Sequence, residues 1–553
     1  MLLPRGIMSD APLGEEDRTR AGAPEAKDSG AAARWQPELI VGKRAAYALA
    51  TLTGVAVPVA FVGIGAWPLG FVAWVPLLVA LRGQPAALAV RLGWWCGFLL
   101  AMIGFSWLTH MLATFSGFPL PACVAFASIL SAYQGGRLAL LAFAYARASA
   151  NGWHRGLAFA GAFALSELVY PLLFPWYFGA SFHEVPILLQ TADLGGAILV
   201  SLVVVGVNLA VAEVALHLRR LAPADWRTVG VGLAAMVGAL VYGDFRIRDI
   251  DAAIARAEPV KIGLVQSHIG LFERKSAVAD SLALSREARE KGAQLLVWSE
   301  ATIPGAFDVK THERGLEKVT KELGVPAIVG GVLYERLDRP AGKGRKARYF
   351  NSAFVADAAG KILGRYDKQF LLMFGEYLPL GETLPILYEW SPNSGAFSAG
   401  SSFEPLRIGE HRIATMICYE DIIPSFVNKL VRTGDPDLLV NLTNDRWFQN
   451  EAAADGTTSD TAEPWQHYAL AKLRTIEHRM FLARVSNSGV SAIVDPVGRV
   501  VVESVTMKKQ ALVGTARYMR VPTVYSIAGD APFWATSAVT VAACFVRRRR
   551  RAS

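Results

Sequence analysis

Charge is what this sequence has least of. Only 19% of its 553 residues are Asp, Glu, Lys or Arg, 53% are hydrophobic, and the mean hydropathy is +0.31. Those values exclude an ordinary soluble protein and point to the membrane class. Cysteine is nearly as rare: four scattered residues make neither a disulfide framework nor a CxxC metal pair, so free thiols are expected. No metal-ligand cluster, nucleotide motif or internal repeat is visible, and neither metal nor cofactor is expected. The net charge of +9 could suggest nucleic acid. Its arginines, however, border the apolar runs and gather at Arg547–Arg551, where membrane topology accounts for them; no nucleic-acid partner is expected. A cleavable leader is also missing from residues 1–43, whose Ala, Gly, Pro and charged residues lack apolar periodicity and read as a disordered tail.

What is present is a series of apolar runs. Ala45 to Leu81 carries no charge and would make ~55 Å of helix against a hydrocarbon core of ~30 Å. It is read as two spans turning near Gly63 to Gly65. Runs follow at about Leu92–Met111, Pro119–Ala146, Leu157–Phe174, Leu194–Leu216 and Val229–Tyr242, the last one short, and a final run at Ala531–Val546. The expectation is a seven-span domain over 44–243, a last helix over 531–546 and a basic tail over 547–553. Arg82 and Arg91, Arg147 and Arg155, and Arg219, Arg220 and Arg227 mark the even-numbered loops, while the odd loops hold no Lys or Arg. This positive-inside pattern puts both termini in the cytoplasm and the long polar insert on the opposite face, periplasmic in a bacterium. Within the runs, Arg137 and Glu167 are expected to pair, since an ionised group at membrane depth needs a partner. Glu213, just ahead of His-Leu-Arg-Arg, is expected to reach the interface.

The insert, 258–530, alternates short β-rich runs (KIGLVQ, LLVWSE, AIVGGVLYE, IATMIC, LLVNLT) with helix-like stretches such as Ser276–Gly292 and Pro464–His478. That alternation indicates one α/β layered domain, and its ~270 residues suffice for a substantial core. Asn450–Glu463 is small and polar, and reads as a mobile surface loop.

Three residues of the insert could carry chemistry together. Cys418 alone among the cysteines lies outside the apolar runs; it ends the buried-strand pattern of IATMICYED, where the following backbone N–H groups would favour a thiolate. Glu300 ends LLVWS and could serve as a general base with a pKa raised by apolar surroundings. Lys368, in GRYDKQFLLMFGEYLP, could hold a developing oxyanion, with Glu376 supporting it. Singly, each has a plainer reading: an inert core thiol, a solvated strand-end carboxylate, a lysine reaching out of an amphipathic edge.

In combination they carry more. The segments WSEATIP, YDKQFLLMFGEYLPL, ICYED, NDRWF, PWQHYALAKLRTIEHR and SNSGVSAIVDPVGRVV occur in this order within the insert. With the eight-span plan, they make the chain resemble the nitrilase superfamily, and within it the apolipoprotein N-acyltransferases of bacterial envelopes. Separations of 68 residues from Glu300 to Lys368 and 50 from Lys368 to Cys418 suit the superfamily's Glu-Lys-Cys order.

The resemblance implies a polytopic α-helical membrane bundle of about eight spans plus a nitrilase-like α-β-β-α sandwich outside the membrane. It implies Glu300 as general base, Lys368 as oxyanion stabiliser and Cys418 as the acylated nucleophile. Glu376 and Glu420 match supporting acids, the Tyr419 backbone N–H would help the oxyanion hole, and Trp447 resembles an aromatic near the acyl-chain portal. The implied reaction is a two-step transfer through a thioester, from the sn-1 ester of a phospholipid, phosphatidylethanolamine, to the N-terminal amine of a diacylglyceryl-cysteine lipoprotein. The implied setting is a monomer in the bacterial inner membrane. Relatives generally carry His-Leu-Val-Pro where this chain has Phe370, Leu371, Leu372 and Met373, a proline at Ser299, and a small residue at Arg446.

Two other readings share parts of this pattern. A membrane-tethered nitrilase-type amidase would use the same triad to release an acid and ammonia. A transporter with a large external binding domain would suit Arg137 and Glu167. The lipid-facing plan argues against the first, and the lack of a repeated half in the spans against the second.

Overall fold

A computed structural model describes residues 39–548, except 271–275, 342–344, 382, 385, 391–393 and 450–459. The expected tail up to residue 38, most of the Asn450–Glu463 stretch and the end of the arginine tail lie outside the described residues.

Helices form along the apolar runs. Lys43–Ala60 leads into a turn where Gly63 and Gly65 have φ of 110° and 76°, and the chain returns through Trp67–Phe71 and Val75–Leu81. Ala86–Gly104, Leu120–Ala150, Ala192–Leu218 and Trp226–Arg256 are long and apolar enough to cross a membrane; Trp67–Leu81 and Ala531–Phe545 are apolar but shorter. The run read as short, Val229–Tyr242, belongs to a helix of 31 residues. The Asp225 carboxylate caps it, accepting from the N–H groups of Arg227 and Thr228 at 3.2 and 3.5 Å. Pairs one turn apart, such as Asp244 with Arg248 at 2.9 Å, carry it beyond the apolar zone. It delivers the chain directly to the first strand, Glu258–Gln266.

Arg137 and Glu167 do pair, at 2.7 Å and almost without exposure. Arg137 also donates to the Trp176 carbonyl at 2.9 Å, and Glu167 accepts from the Phe178 N–H at 3.1 Å, so the pair anchors the loop beyond the helix Arg155–Val169. Arg137→Ala strands a buried carboxylate and is expected to cost about 3–5 kcal/mol. The check is the thermal midpoint in detergent, which Arg137→Ala combined with Glu167→Gln should largely restore. Glu213, expected at the interface, meets two residues that cap helix ends, Arg82 after Val75–Leu81 and Asp225 before Trp226–Arg256. Arg82 lies 3.1 Å from one of its oxygens and the Asp225 N–H 3.1 Å from the other, so the carboxylate is satisfied inside the protein.

The insert folds as two sheets. One runs in the order Gln510–Tyr518, Glu258–Gln266, Leu295–Trp298, Ala327–Ala341, Arg345–Ala356, Ile362–Asp367, with Ala306–Asp308 beside Ala327–Ala341. The other runs Val500–Glu503, Ala492–Val494, Leu482–Ser486, Leu438–Thr443, His411–Ile417, Leu406–Ile408. Alternation along the strands sorts the side chains. Ile262, Leu264, Leu295 and Val297 join the core shared with the second sheet, whereas Val265, Leu296 and Trp298 pack on Leu282, Leu284 and Leu316 of the outer helices Ala277–Glu290 and His312–Thr320. The result is the α-β-β-α order.

The helix outside the second sheet, Glu463–His478, is buried nearly end to end. Its far side meets the membrane bundle, whose core takes in Ala469, Leu470, Leu473 and Ile476. The same contact explains a break in Ala192–Leu218, where Gly196 has φ 61°. The break frees the Ala197 N–H to donate to Glu477 at 3.1 Å, and in the preceding turn Asp193 pairs with Arg479 at 2.7 Å.

Candidate active site

Four strand ends bring the candidate residues together. Leu295–Trp298 leads to Glu300, Ile362–Asp367 to Lys368, His411–Ile417 to Cys418, and Leu438–Thr443 to the turn Asp445–Phe448 that holds Trp447. Glu300 and Lys368 thus come from one sheet, Cys418 and Trp447 from the other. All four line a cavity of about 150 Å³. Cys418 takes a left-handed backbone, φ 52°, as strand passes into the 3₁₀ turn Cys418–Ile422. The Asn441 side-chain amide donates to its carbonyl at 3.0 Å and steadies that corner.

Lys368 is only 1% exposed, which rules out the solvent-reaching alternative. Its Nζ lies 2.8 Å from Glu376 and 3.5 Å from Glu300. An ammonium has three protons, so these contacts leave one for the cavity. Asn351 braces the arrangement: its Nδ2 donates to Glu300 at 2.6 Å and to Glu376 at 2.9 Å. Glu376 also accepts from the Leu372 N–H at 2.8 Å. Glu420 does not face the cavity. It accepts from the Tyr366 hydroxyl and from the backbone N–H groups of Gln369, Phe370 and Ile417, and so clamps the Lys368 segment to the nucleophile strand. The Tyr419 hydroxyl donates to the Leu173 carbonyl in the membrane half.

Glu300 sits where it does because Gly330 lets two backbones touch. A Cβ there would lie 2.5 Å from the Ser299 carbonyl oxygen, 2.7 Å from the Ala301 nitrogen and 3.0 Å from the Glu300 Cα. Gly330→Ala must therefore push Glu300 aside. The expected result is a fall in kcat of about 10- to 100-fold with little change in KM.

Burial, and then the Glu300 carboxylate, push the Cys418 thiol up to about 12, against the pull of Lys368. The N–H groups expected to favour a thiolate are outweighed: a five-residue 3₁₀ turn supplies too little dipole to offset desolvation. Burial also raises Glu300, opposed by Lys368 and assisted by Glu376. Burial pulls the Lys368 pKa down, but Glu376, Glu300 and Cys418 outweigh it and hold it well above the ordinary lysine value. The site thus pairs a neutral thiol with a carboxylate of raised basicity and a firmly charged ammonium.

Cys418 also borders a second, small cavity of about 30 Å³, walled by Phe105, Trp107 and Phe174 from the bundle and by Leu372 and Phe448 from the sandwich. Nothing in the sequence pattern announced Asn351, a lone amide among apolar strand residues, or this shared wall. Of the cluster around His467, Asp421, Asp445 and His467 fall in the motif segments, whereas Arg484 lies outside them. Asp445, Glu463 and His467 bring ligand-type atoms within 4.8 Å of one another. Yet both His467 nitrogens already face carboxylates, and the Arg484 guanidinium lies 3.3 Å from Asp445, so protein cations meet that charge. Glu463, expected on a surface loop, is buried in this group.

Residues 261–518 match the family model described as Carbon-nitrogen hydrolase, and residues 53–210 the one described as Apolipoprotein N-acyltransferase N-terminal domain. The curated Apolipoprotein N-acyltransferase of Geobacter metallireducens is 29% identical over 538 residues, covering 93% of this chain and 98% of its own. Those of Rhizobium rhizogenes and Agrobacterium fabrum are 30% and 31% identical, each match covering 75% of this chain and 77% of the relative. Among solved structures, an amidase from Nesterenkonia sp. is 19% identical, with 51% of this chain and 97% of that one covered and a TM-score of 0.35, too low to argue from. The sequence matches run from the membrane helices through the sandwich, and by them the chain belongs to the apolipoprotein N-acyltransferase family.

Proposed function

We propose that this chain transfers an acyl group from the sn-1 ester of a phospholipid, phosphatidylethanolamine, to the N-terminal amine of diacylglyceryl-cysteine on lipoproteins. It works as a monomer in the bacterial inner membrane. Its seven-span domain (44–243) and last helix (531–546) hold the sandwich (258–530) on the periplasmic face, with both termini in the cytoplasm. The observation that carries this reading is the meeting of Glu300, Lys368 and Cys418 at one cavity whose neighbour is walled by the membrane bundle.

Two balanced steps follow. Cys418 attacks the ester carbonyl as its proton passes to Glu300, and Lys368 holds the oxyanion. Collapse breaks the ester C–O bond, Glu300 returns the proton to the leaving oxygen, and a lysophospholipid departs. The acceptor amine then attacks the thioester, gives a proton through Glu300, and the sulfur leaves as the thiol is restored. Both substrates keep their chains in the bilayer and their reacting groups at its surface, so anchoring the thiol there replaces a diffusive search. Phe370, Leu380, Leu384 and Ile386 are exposed along the segment after Lys368 and offer an apolar surface to lipid.

The test is mass spectrometry of the purified chain with phospholipid. A fatty-acyl adduct on Cys418, discharged by a diacylglyceryl peptide with a free amine, is expected; no adduct, with ammonia released from small amides instead, would establish the amidase reading. The pH profile gives a second check. Glu300 must be ionised to accept a proton, and its raised pKa makes the carboxylate scarcer at any given pH. The acid limb of kcat/KM is therefore expected above the ordinary glutamate value of about 4.3, with activity lost as pH falls through it.

A further inference from the structure

Beside Cys418, around a cavity that Cys418, Glu463 and His467 line together, a group of ionisable side chains packs out of water. His467, from the helix Glu463–His478, is at its centre and is 6% exposed. Its Nε2 lies 2.8 Å from Asp421, on the turn that carries Cys418. Its Nδ1 lies 3.1 Å from Asp445, on the turn that carries Trp447. Glu463, one helical turn earlier, approaches the same nitrogen at 3.6 Å. Arg484, fully buried, closes the ring at 3.5 Å from Asp421 and 3.3 Å from Asp445. The hydroxyls of Thr443 and Ser486 donate to Asp445 at 3.1 and 3.0 Å.

This geometry dictates the charge on the ring. An imidazole with a carboxylate at each nitrogen donates from both, and is then a cation. Burial opposes that charge, but Asp421 and Asp445 together outweigh burial and Arg484. Burial and Asp445 push the Glu463 carboxyl up to about 7, so the cluster can sit near neutrality with two cations and two anions. His467 and Cys418 also line the same small cavity.

We propose that His467 is a positioning residue for the acyl transfer. As an imidazolium it pins the nucleophile turn, at Asp421, to the Trp447 turn, at Asp445, and turns a positive charge toward the Cys418 sulfur. The sulfur gathers negative charge twice in the cycle, when its proton moves to Glu300 and when it leaves the tetrahedral adduct. A fixed cation near it eases both moments, and the field of His467 lowers the Cys418 pKa ahead of the smaller opposing effect of Asp445. The proposal rests on the reading of Cys418 as the nucleophile.

The test is alkylation of Cys418 by iodoacetamide in the full chain in detergent, followed by peptide mass spectrometry between about pH 7 and 9. In His467→Gln the rate at Cys418 is expected to fall about tenfold at every pH, the mark of a thiol pKa raised by about one unit. kcat should fall with KM for phospholipid unchanged. Asp421→Asn, which keeps the turn's shape, should move both readouts the same way by a smaller factor. A purely structural role would lower the melting temperature and leave alkylation unchanged or, through loosened packing, faster. Unchanged or faster alkylation in either folded variant overturns the proposal. Turnover that survives Cys418→Ala defeats instead the nucleophile reading beneath it.

Discussion

Cys418→Ala should leave a folded protein with no acyl transfer. The expected loss is roughly 10⁵-fold or more, in line with removal of a covalent nucleophile. Neither half-reaction should survive, because the thioester links them. The fold should persist: alanine tolerates the left-handed corner at φ 52° about as well as cysteine does, and the Asn441 bond to the residue 418 carbonyl needs no side chain. The measurement is labelled acyl transfer from phospholipid to a diacylglyceryl peptide, with the detergent melting temperature as control. Acylation at the wild-type rate by this variant would remove the mechanism.

Lys368→Met should be nearly as damaging, and for two separable reasons. The oxyanion loses its cation, worth about 10²–10³-fold in comparable sites. Glu300 and Glu376 also lose the charge between them, so Glu300 is driven further up and kept protonated at neutral pH; a total loss of about 10³–10⁴-fold is expected. Stability should suffer as well, by about 3–5 kcal/mol, because buried carboxylates are left unpaired. Adding Glu376→Gln separates the two effects. The double variant should regain most of the melting temperature, since one stranded charge is gone, yet none of the activity. Recovery of turnover in the double variant would mean that Lys368 acts only as a structural counter-ion.

Much of this was legible in one dimension because the physics is local. A run such as Leu194–Leu216 must cross a bilayer or be buried, and period-2 alternation assigns Leu295 and Leu296 to opposite faces of a strand. The spacing of Glu300, Lys368 and Cys418 came through for another reason: each ends a strand, and strand ends are where an α/β layer exposes side chains. A side chain's environment, by contrast, does not follow from its neighbours in sequence. The cap-like N–H groups after Cys418 argued for a thiolate, but solvent exclusion by Phe105, Trp107 and Phe174, more than 240 residues away in sequence, decides for the thiol. Glu213 likewise finds its partner far off in sequence, in Arg82, 131 positions earlier.

The sequence by itself therefore determined the division into membrane helices and a layered α/β insert, and it singled out the three candidate residues that meet at one cavity. Both follow from periodicity and residue type, which act over one or two turns. Only the tertiary structure decided their electrostatics: which carboxylate shares Lys368, that Asn351 braces both acids, and that Arg484 and two aspartates surround His467. A pKa or an ion pair depends on distance and dielectric in space, and residues that set them here are separated by tens to hundreds of positions along the chain.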